Sequence, residues 1–154
     1  MIGTTKFMCL LIVLIVLPMG VSACRHTPDE EQVRQVIAAV SRGAESASAG
    51  DVVAPLSKDF DGNAGELDRR SLGNMVRLVA LRGEHIGVTM GPVTIEHRGA
   101  RIVATFTVGL SSGSGGLLPG RLGVYQVESA WRHEDGEWLC YSASWKRAIS
   151  SSDD

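Results

Sequence analysis

From residue 29 onward the apolar positions keep one period, then switch to another. Val33, Val36, Ile37 and Val40 recur at helical spacing, Ala44 and Ala47 continue the stripe, and Glu30, Arg34, Arg42 and Glu45 fall outside it. That spacing predicts an amphipathic helix. Thr27 with Glu30 forms a capping box around Pro28 at the first helical position, and Gly50 is the expected closing residue. Asp51 is the expected cap of a second, short helix through Val52, Val53 and Leu56, with Pro55 near its first turn. A polar connection over residues 58–65 leads to a third helix, starting at about Glu66 or Asp68. Its Leu72, Met75, Val76 and Val79 share one face, and Gly83 closes it. Gly73 inside that helix costs about 1 kcal/mol relative to Ala unless a neighbour packs closely there.

Beyond Gly83 the period becomes two, the period of strands. Ile86, Val88 and Met90 share a face, but after Gly91-Pro92 the apolar positions become Val93 and Ile95. A β-bulge makes such a flip and bends the strand while keeping one face apolar. Ile102, Ala104, Phe106, Val108 and Leu110 form the next strand. A glycine-serine connector follows at residues 111–116. Of Leu117-Leu118 beyond it, one is expected to pack back at the start of the next strand, the alternatives being contact with lipid or closure of the pocket. Residues 121–149 read as two long strands joined at Asp135-Gly136, a dipeptide suited to a type I′ turn. A two-residue turn sets Glu134 opposite Glu137. It places Tyr125, Val127, Trp131 and His133 on one face with Trp138, Cys140 and Ser144, and Gln126, Glu128 and Arg132 on the other with Leu139, Tyr141 and Trp145. All three tryptophans lie in this ribbon, which therefore supplies the largest apolar side chains of the core. The predicted class is α+β: N-terminal helices packed on a strongly bent four-stranded (or slightly larger) antiparallel sheet, helices covering the apolar face.

The first 23 residues fit a different purpose. Lys6 precedes a nearly unbroken apolar run from Phe7 to Leu17, which Pro18-Met19-Gly20 ends. The run is shorter than the roughly 20 residues that span a bilayer and has the length of a secretory signal's apolar core. Val21-Ser22-Ala23-Cys24 resembles the lipobox of bacterial lipoproteins. That resemblance implies cleavage before Cys24, a diacylglyceryl group on its thiol and an acylated new amino end. The competing reading is an ordinary signal cut after Ala23, leaving Cys24 to pair with Cys140. Under the lipoprotein reading Cys9 leaves with the signal and Cys140 stays as a small buried hydrophobe. The chain then divides into a signal peptide (1–23), a lipidated tether (24–28), a folded domain (29–149) and a polar tail (150–154). Arg25 stands where enteric inner-membrane lipoproteins carry Asp, which points to a periplasm-facing protein of the outer membrane. Losing Lys6 with the signal moves the formal net charge from −2 to −3, with no basic block, so nucleic-acid binding lacks its positive footprint.

The order of elements over nearly all of residues 29–149 resembles the NTF2-like superfamily. It consists of an amphipathic helix, a short helix ending in a Lys58-Asp59-Phe60 segment, another helix and a bent antiparallel meander. That group includes ketosteroid isomerase, scytalone dehydratase and SnoaL-type cyclases, and the chain is similar to the NTF2-like lipoproteins of Gram-negative bacteria. The resemblance implies a cone with a cleft between helices and sheet. The family often adds a small hairpin between the second and third helices, for which residues 59–67 leave little room.

Candidate chemistry is sparse. Asp59 is the best available acid for a ketosteroid-isomerase type of base, with Tyr125 or His133 as partners, but the first helix has no Tyr to serve as oxyanion donor. Asp59, Asp61 and Asn63 occupy positions one, three and five of a calcium loop, yet Ala64 replaces its glycine and Arg70 its bidentate acid. The four histidines are scattered, so no metal site or cofactor is expected. The reading leans away from an enzyme. A small apolar ligand among Phe60, Phe106, Tyr125, Val127 and Trp131 is one expectation. A homodimer through a sheet face bearing Gln126, Glu128, Arg132, Tyr141 and Trp145 is the other, the alternative for Trp145 being a shifted register that tucks it under the first helix. The membrane, reached through lipid on Cys24, is the remaining partner.

Overall fold

The structure is a computed structural model that describes residues 28–112 and 123–148. Cys24, the capping-box Thr27, Leu117 and Leu118 lie outside the described residues. Three helices, α1 (Asp29–Glu45), α2 (Ala49–Val53) and α3 (Arg69–Leu81), pack on one sheet. The strands are β1 (Leu56–Gly62), β2 (Leu67–Asp68), β3 (Ile86–Met90), β4 (Thr94–Arg98), β5 (Arg101–Ser112), β6 (Gly123–Glu134) and β7 (Glu137–Arg147). The sheet order is β2-β1-β7-β6-β5-β3, and β4 also pairs with β5. All pairings are antiparallel except β1 with β7, which run parallel.

The helix ends correct several expectations. Helix α1 starts after Pro28, which takes the N-cap place with no side-chain cap, and it stops at Glu45 rather than near Gly50. The left-handed residue that follows is Ala47, at φ 52°. Gly50 instead lies inside α2, whose N-cap is Ser48, not Asp51; the Ser48 hydroxyl accepts from the Asp51 N–H at 3.5 Å. Helix α3 matches its prediction, with Asp68 as N-cap accepting from the Ser71 N–H at 2.6 Å and Gly83 at φ 62° beyond its end. The close neighbour that justifies Gly73 is Val53, whose methyl stands 3.3 Å from where a Cβ would be.

Residues 56–68 are the larger correction. Leu56 opens a strand rather than ending a helix, and the expected polar connection is β1, a turn with Asn63 and Ala64 at positive φ, and β2. The small hairpin, for which residues 59–67 leave little room, is therefore present. It fits because β2 is only two residues long.

The meander follows the pattern. Strands β3 and β4 both pair with β5, and three residues, Gly91 to Val93, span the gap that two residues span on β5. The bend leaves the Val93 carbonyl outside the ladder, where the Arg34 guanidinium of α1 donates to it. Asp135 and Gly136 both take positive φ, and Glu134 pairs with Glu137, as a type I′ turn requires.

The inner face of the sheet can be read as rows of register partners crossing β5, β6 and β7. Ile102–Trp131–Cys140 and Ala104–Ser129–Ala143 are followed by Phe106–Val127–Trp145 and Val108–Tyr125–Arg147. The first row packs under α1, where Val33 and Ile102 are completely buried and Ile37, Leu56, Phe60 and Trp138 complete the core. Each such aliphatic side chain contributes about 1.5–3 kcal/mol by leaving water. The Trp131 indole N–H donates to Ser129 Oγ at 2.9 Å, and Ser129 donates to the Ala104 carbonyl; among the described residues no buried side-chain polar atom lacks a partner. Cys140 is a buried free thiol, pushed up to about 12 by its burial, and thus an inert core residue.

Candidate functional site

The two ends of the inner face differ. Towards α1's first turn the rows are closed: the Trp138 indole donates to Asp29 at 3.3 Å, and His97 meets Glu30 at 3.1 Å. Towards the other end Phe106, Val108, Leu110, Tyr125, Val127 and Trp145 are only half buried. This open end is the mouth of the cone. Arg147 lies at its border, its guanidinium 5.7 Å above the Tyr125 ring.

The predicted pocket residues divide between these ends. Phe60 and Trp131 fill the closed core, whereas Phe106, Tyr125 and Val127 line the mouth. Trp145 joins them, although the uninterrupted hairpin register put it on the opposite face. The register shifts by one between Ala130 and Trp131, where Tyr141 is the unpaired extra residue of β7. Past that bulge Trp145 pairs with Val127 instead of standing beside Tyr141. The ring tip of Trp145 lies over Gly62: a Cβ there would meet its Cη2 at 2.8 Å and the Leu67 carbonyl at 2.9 Å. The Trp145 N–H donates to Asn63 Oδ1 at 2.8 Å, so the β1–β2 hairpin supplies the side wall of the mouth.

Asp59 points elsewhere. It stands on the outer face, where Arg132 donates to both its oxygens at 2.7 and 3.2 Å and Ser57 Oγ donates at 2.8 Å. Arg132, then the Ser57 hydroxyl, holds its carboxyl down at about 2. A base inside a cone needs the reverse, apolar walls that raise the value. Its expected partners are not beside it: His133 sits near the hairpin turn, edge-on to Trp138, and Tyr125 lies at the other end of β6. Among the described residues the buried polar side chains are Ser57 and Ser129, with no carboxylate. No cluster of His, Cys, Asp and Glu among them is arranged to hold a metal. Asp61, the second residue of the calcium-like pattern, accepts the Gly65 N–H at 2.6 Å and acts as a turn residue.

The outer face carries the remaining candidates. The Arg132 guanidinium also pairs with Glu134 and lies 5.1 Å above the Tyr141 ring, whose hydroxyl accepts from Arg101 at 3.2 Å. Further along, a shallow hollow of about 320 Å³ is lined by Thr105, Gln126, Glu128, Ser144, Trp145 and Lys146. Glu128 pairs with Ser144, and Gln126 with Lys146, so charges of opposite sign stand two rungs apart.

No family model matches the sequence, and no curated protein matches it. Solved structures do match by shape. An NTF2-like protein with a cystatin-like fold from Novosphingobium aromaticivorans is 17% identical, with 99% of this chain and 94% of that one covered and a TM-score of 0.64. The chain has the NTF2-like fold. A hexachlorocyclohexane dehydrochlorinase from Novosphingobium barchaimii shares this cone at 12% identity, with 78% and 86% covered and a TM-score of 0.63. So does an NTF2-like protein of unknown function from Pseudomonas putida at 13% identity, with 80% and 89% covered and a TM-score of 0.62. In the NTF2-like cone of this chain the mouth is apolar, and the paired acid Asp59 is outside it.

Proposed function

We propose that this protein is a lipid-anchored NTF2-like module of the bacterial cell envelope that binds a small apolar ligand in the mouth of its cone, without catalysis. The observation that carries the binding reading is the half-buried inner row Phe106–Val127–Trp145, which continues into Val108 and Tyr125 beyond a closed core. An apolar recess with few polar groups recognises shape and hydrophobicity rather than performing proton transfer. The alternative is an isomerase, dehydratase or related lyase chemistry, as the dehydrochlorinase of the same fold performs on its own substrate. It requires a carboxylate in the recess; among the described residues the fully buried polar side chains are Ser57 and Ser129, and Asp59 lies on the outer face. A neutral fluorescent apolar probe tests the point. Saturable brightening with the wild type that is about tenfold weaker in Val127→Ser supports the recess, a change the size expected from losing one well-placed apolar contact. A probe that stays dark overturns it.

The anchor rests on Ser22-Ala23-Cys24 and the apolar run before it. Acyl chains hold a protein durably at a bilayer, at about 0.8 kcal/mol per buried CH₂. Growth with labelled palmitate should tag the wild type and leave Cys24→Ala unlabelled; label on the variant ends the anchor reading. Arg25 supports an outer-membrane, periplasm-facing position.

One observation favours assembly as a second reading. The outer hollow carries Glu128 and Lys146 on adjacent strands, so a two-fold axis through it would set each against the other's copy. Sedimentation at micromolar concentration should show a dimer that Lys146→Glu weakens and that adding Glu128→Lys restores. A monomeric wild type defeats this reading.

A further inference from the structure

The large hydrophobic side chains exposed among the described residues are Leu78 and Leu81, at 45% and 85%, and both lie on α3. Arg70, Asn74, Arg77, Leu78 and Leu81 fall at helical spacing along one outward stripe, with Arg82 following at the C-cap. The opposite side of the helix, through Gly73 and Val79, is buried in the fold, so the stripe faces solvent without a covering element. Within Arg69–Leu81 there is no acidic residue; Asp68 is occupied as the N-cap, and Glu84 lies beyond the end. Arg69 donates inward to the Val53 carbonyl, and Arg77 gives one N–H to Asn74. A guanidinium has five N–H donors, so Arg77 keeps most of its capacity, and its planar fork matches phosphate oxygens. Two exposed leucines flanked by arginines, in a chain of net negative charge, are matched by a surface that is anionic at the top and apolar beneath.

We propose that α3 is a membrane-docking surface that lays Leu78 and Leu81 into the interface of a bilayer while Arg70, Arg77 and Arg82 engage its anionic phosphates. The lipid on Cys24 would hold the domain at a bilayer, where the α3 stripe can meet it. The inference goes beyond the anchored-module reading, and the two fail separately: palmitate label reads Cys24, whereas the experiment here reads α3.

The full chain is reconstituted in phosphatidylglycerol vesicles and in phosphatidylcholine vesicles, and amide hydrogen exchange is followed over residues 70–82. A surface occupied two-thirds of the time slows exchange about threefold, which is the difference expected between the two vesicle types. Raising the salt removes that difference in the wild type, because screening weakens phosphate contacts. Arg70→Gln/Arg77→Gln/Arg82→Gln and Leu78→Ser/Leu81→Ser each return exchange to the phosphatidylcholine level, with far-ultraviolet circular dichroism unchanged because these side chains are exposed. Equal exchange on the two vesicle types overturns the proposal. So does a slowing that follows protein density on phosphatidylcholine, which would assign the stripe to a second copy.

Discussion

The two ends of the inner sheet face share the same three strands and differ in what covers them. At the Ile102–Trp131–Cys140 row, α1 lies directly on the sheet and every side chain is buried. At the Phe106–Val127–Trp145 row the strands continue while the cover thins, and the same residue types are half exposed. The first end is closed and supplies stability; the second leaves its apolar side chains half exposed. The cover changes along the strands, so position along β6 matters more than residue type.

Substitutions at the two ends should separate accordingly. Trp131→Ala empties the closed end and leaves Ser129 without its indole donor, so it should cost about 3–5 kcal/mol in urea unfolding. That is a large part of the roughly 5–15 kcal/mol by which a domain is stable. Gly62→Ala places a methyl against the Trp145 ring and the Leu67 carbonyl at the side wall of the mouth. Overpacking of that kind costs about 1–3 kcal/mol, and tryptophan fluorescence should change with it. Val127→Ala, in the open row, should cost about 1 kcal/mol or less, since only part of two methyl groups leaves a buried place. A loss as large as that of Trp131→Ala would erase the distinction between the ends.

The smallest effect is on the outside. Asp59 is held below the ordinary carboxylate value by Arg132 and Ser57. Its contribution to stability is complete above the unfolded value near 3.8 and is lost as pH falls towards about 2. The slope of stability with pH between these values should therefore be shallower in Asp59→Asn, while the curve above pH 5 keeps its shape. An unchanged acid slope would mean that the Arg132 pair adds nothing in solution, as exposed pairs sometimes do.

The legible parts were those written in local chemistry. Asp135-Gly136 announced its turn, the parity flip at Gly91-Pro92 announced the bend, and the stripes of α1 and α3 announced two helices. The Tyr141 bulge left no such sign, because Cys140-Tyr141-Ser142 carries neither glycine nor proline and alternates smoothly on paper. It alone moved Trp145 from the presumed outer face to the mouth. Strand β1 was hidden for another reason: its exposed positions, Lys58, Asp59 and Asp61, gave it the polarity of a loop, while its apolar Phe60 faces inward. Its partner β7 is remote in sequence, and no local pattern encodes that parallel pairing. Asp59 was misplaced with it, since the face it occupies depends on β1 being a strand.

The strand order β2-β1-β7-β6-β5-β3 puts the last of the described strands between the first and the meander. A polypeptide made N-terminus first therefore holds β1 with only the two-residue β2 to pair with, and its other edge open, until residues 137–147 have emerged. Until then α1 and α2 have only a partial floor beneath them. The sheet thus stays in two parts, the β1–β2 hairpin and the meander, until β7 joins them.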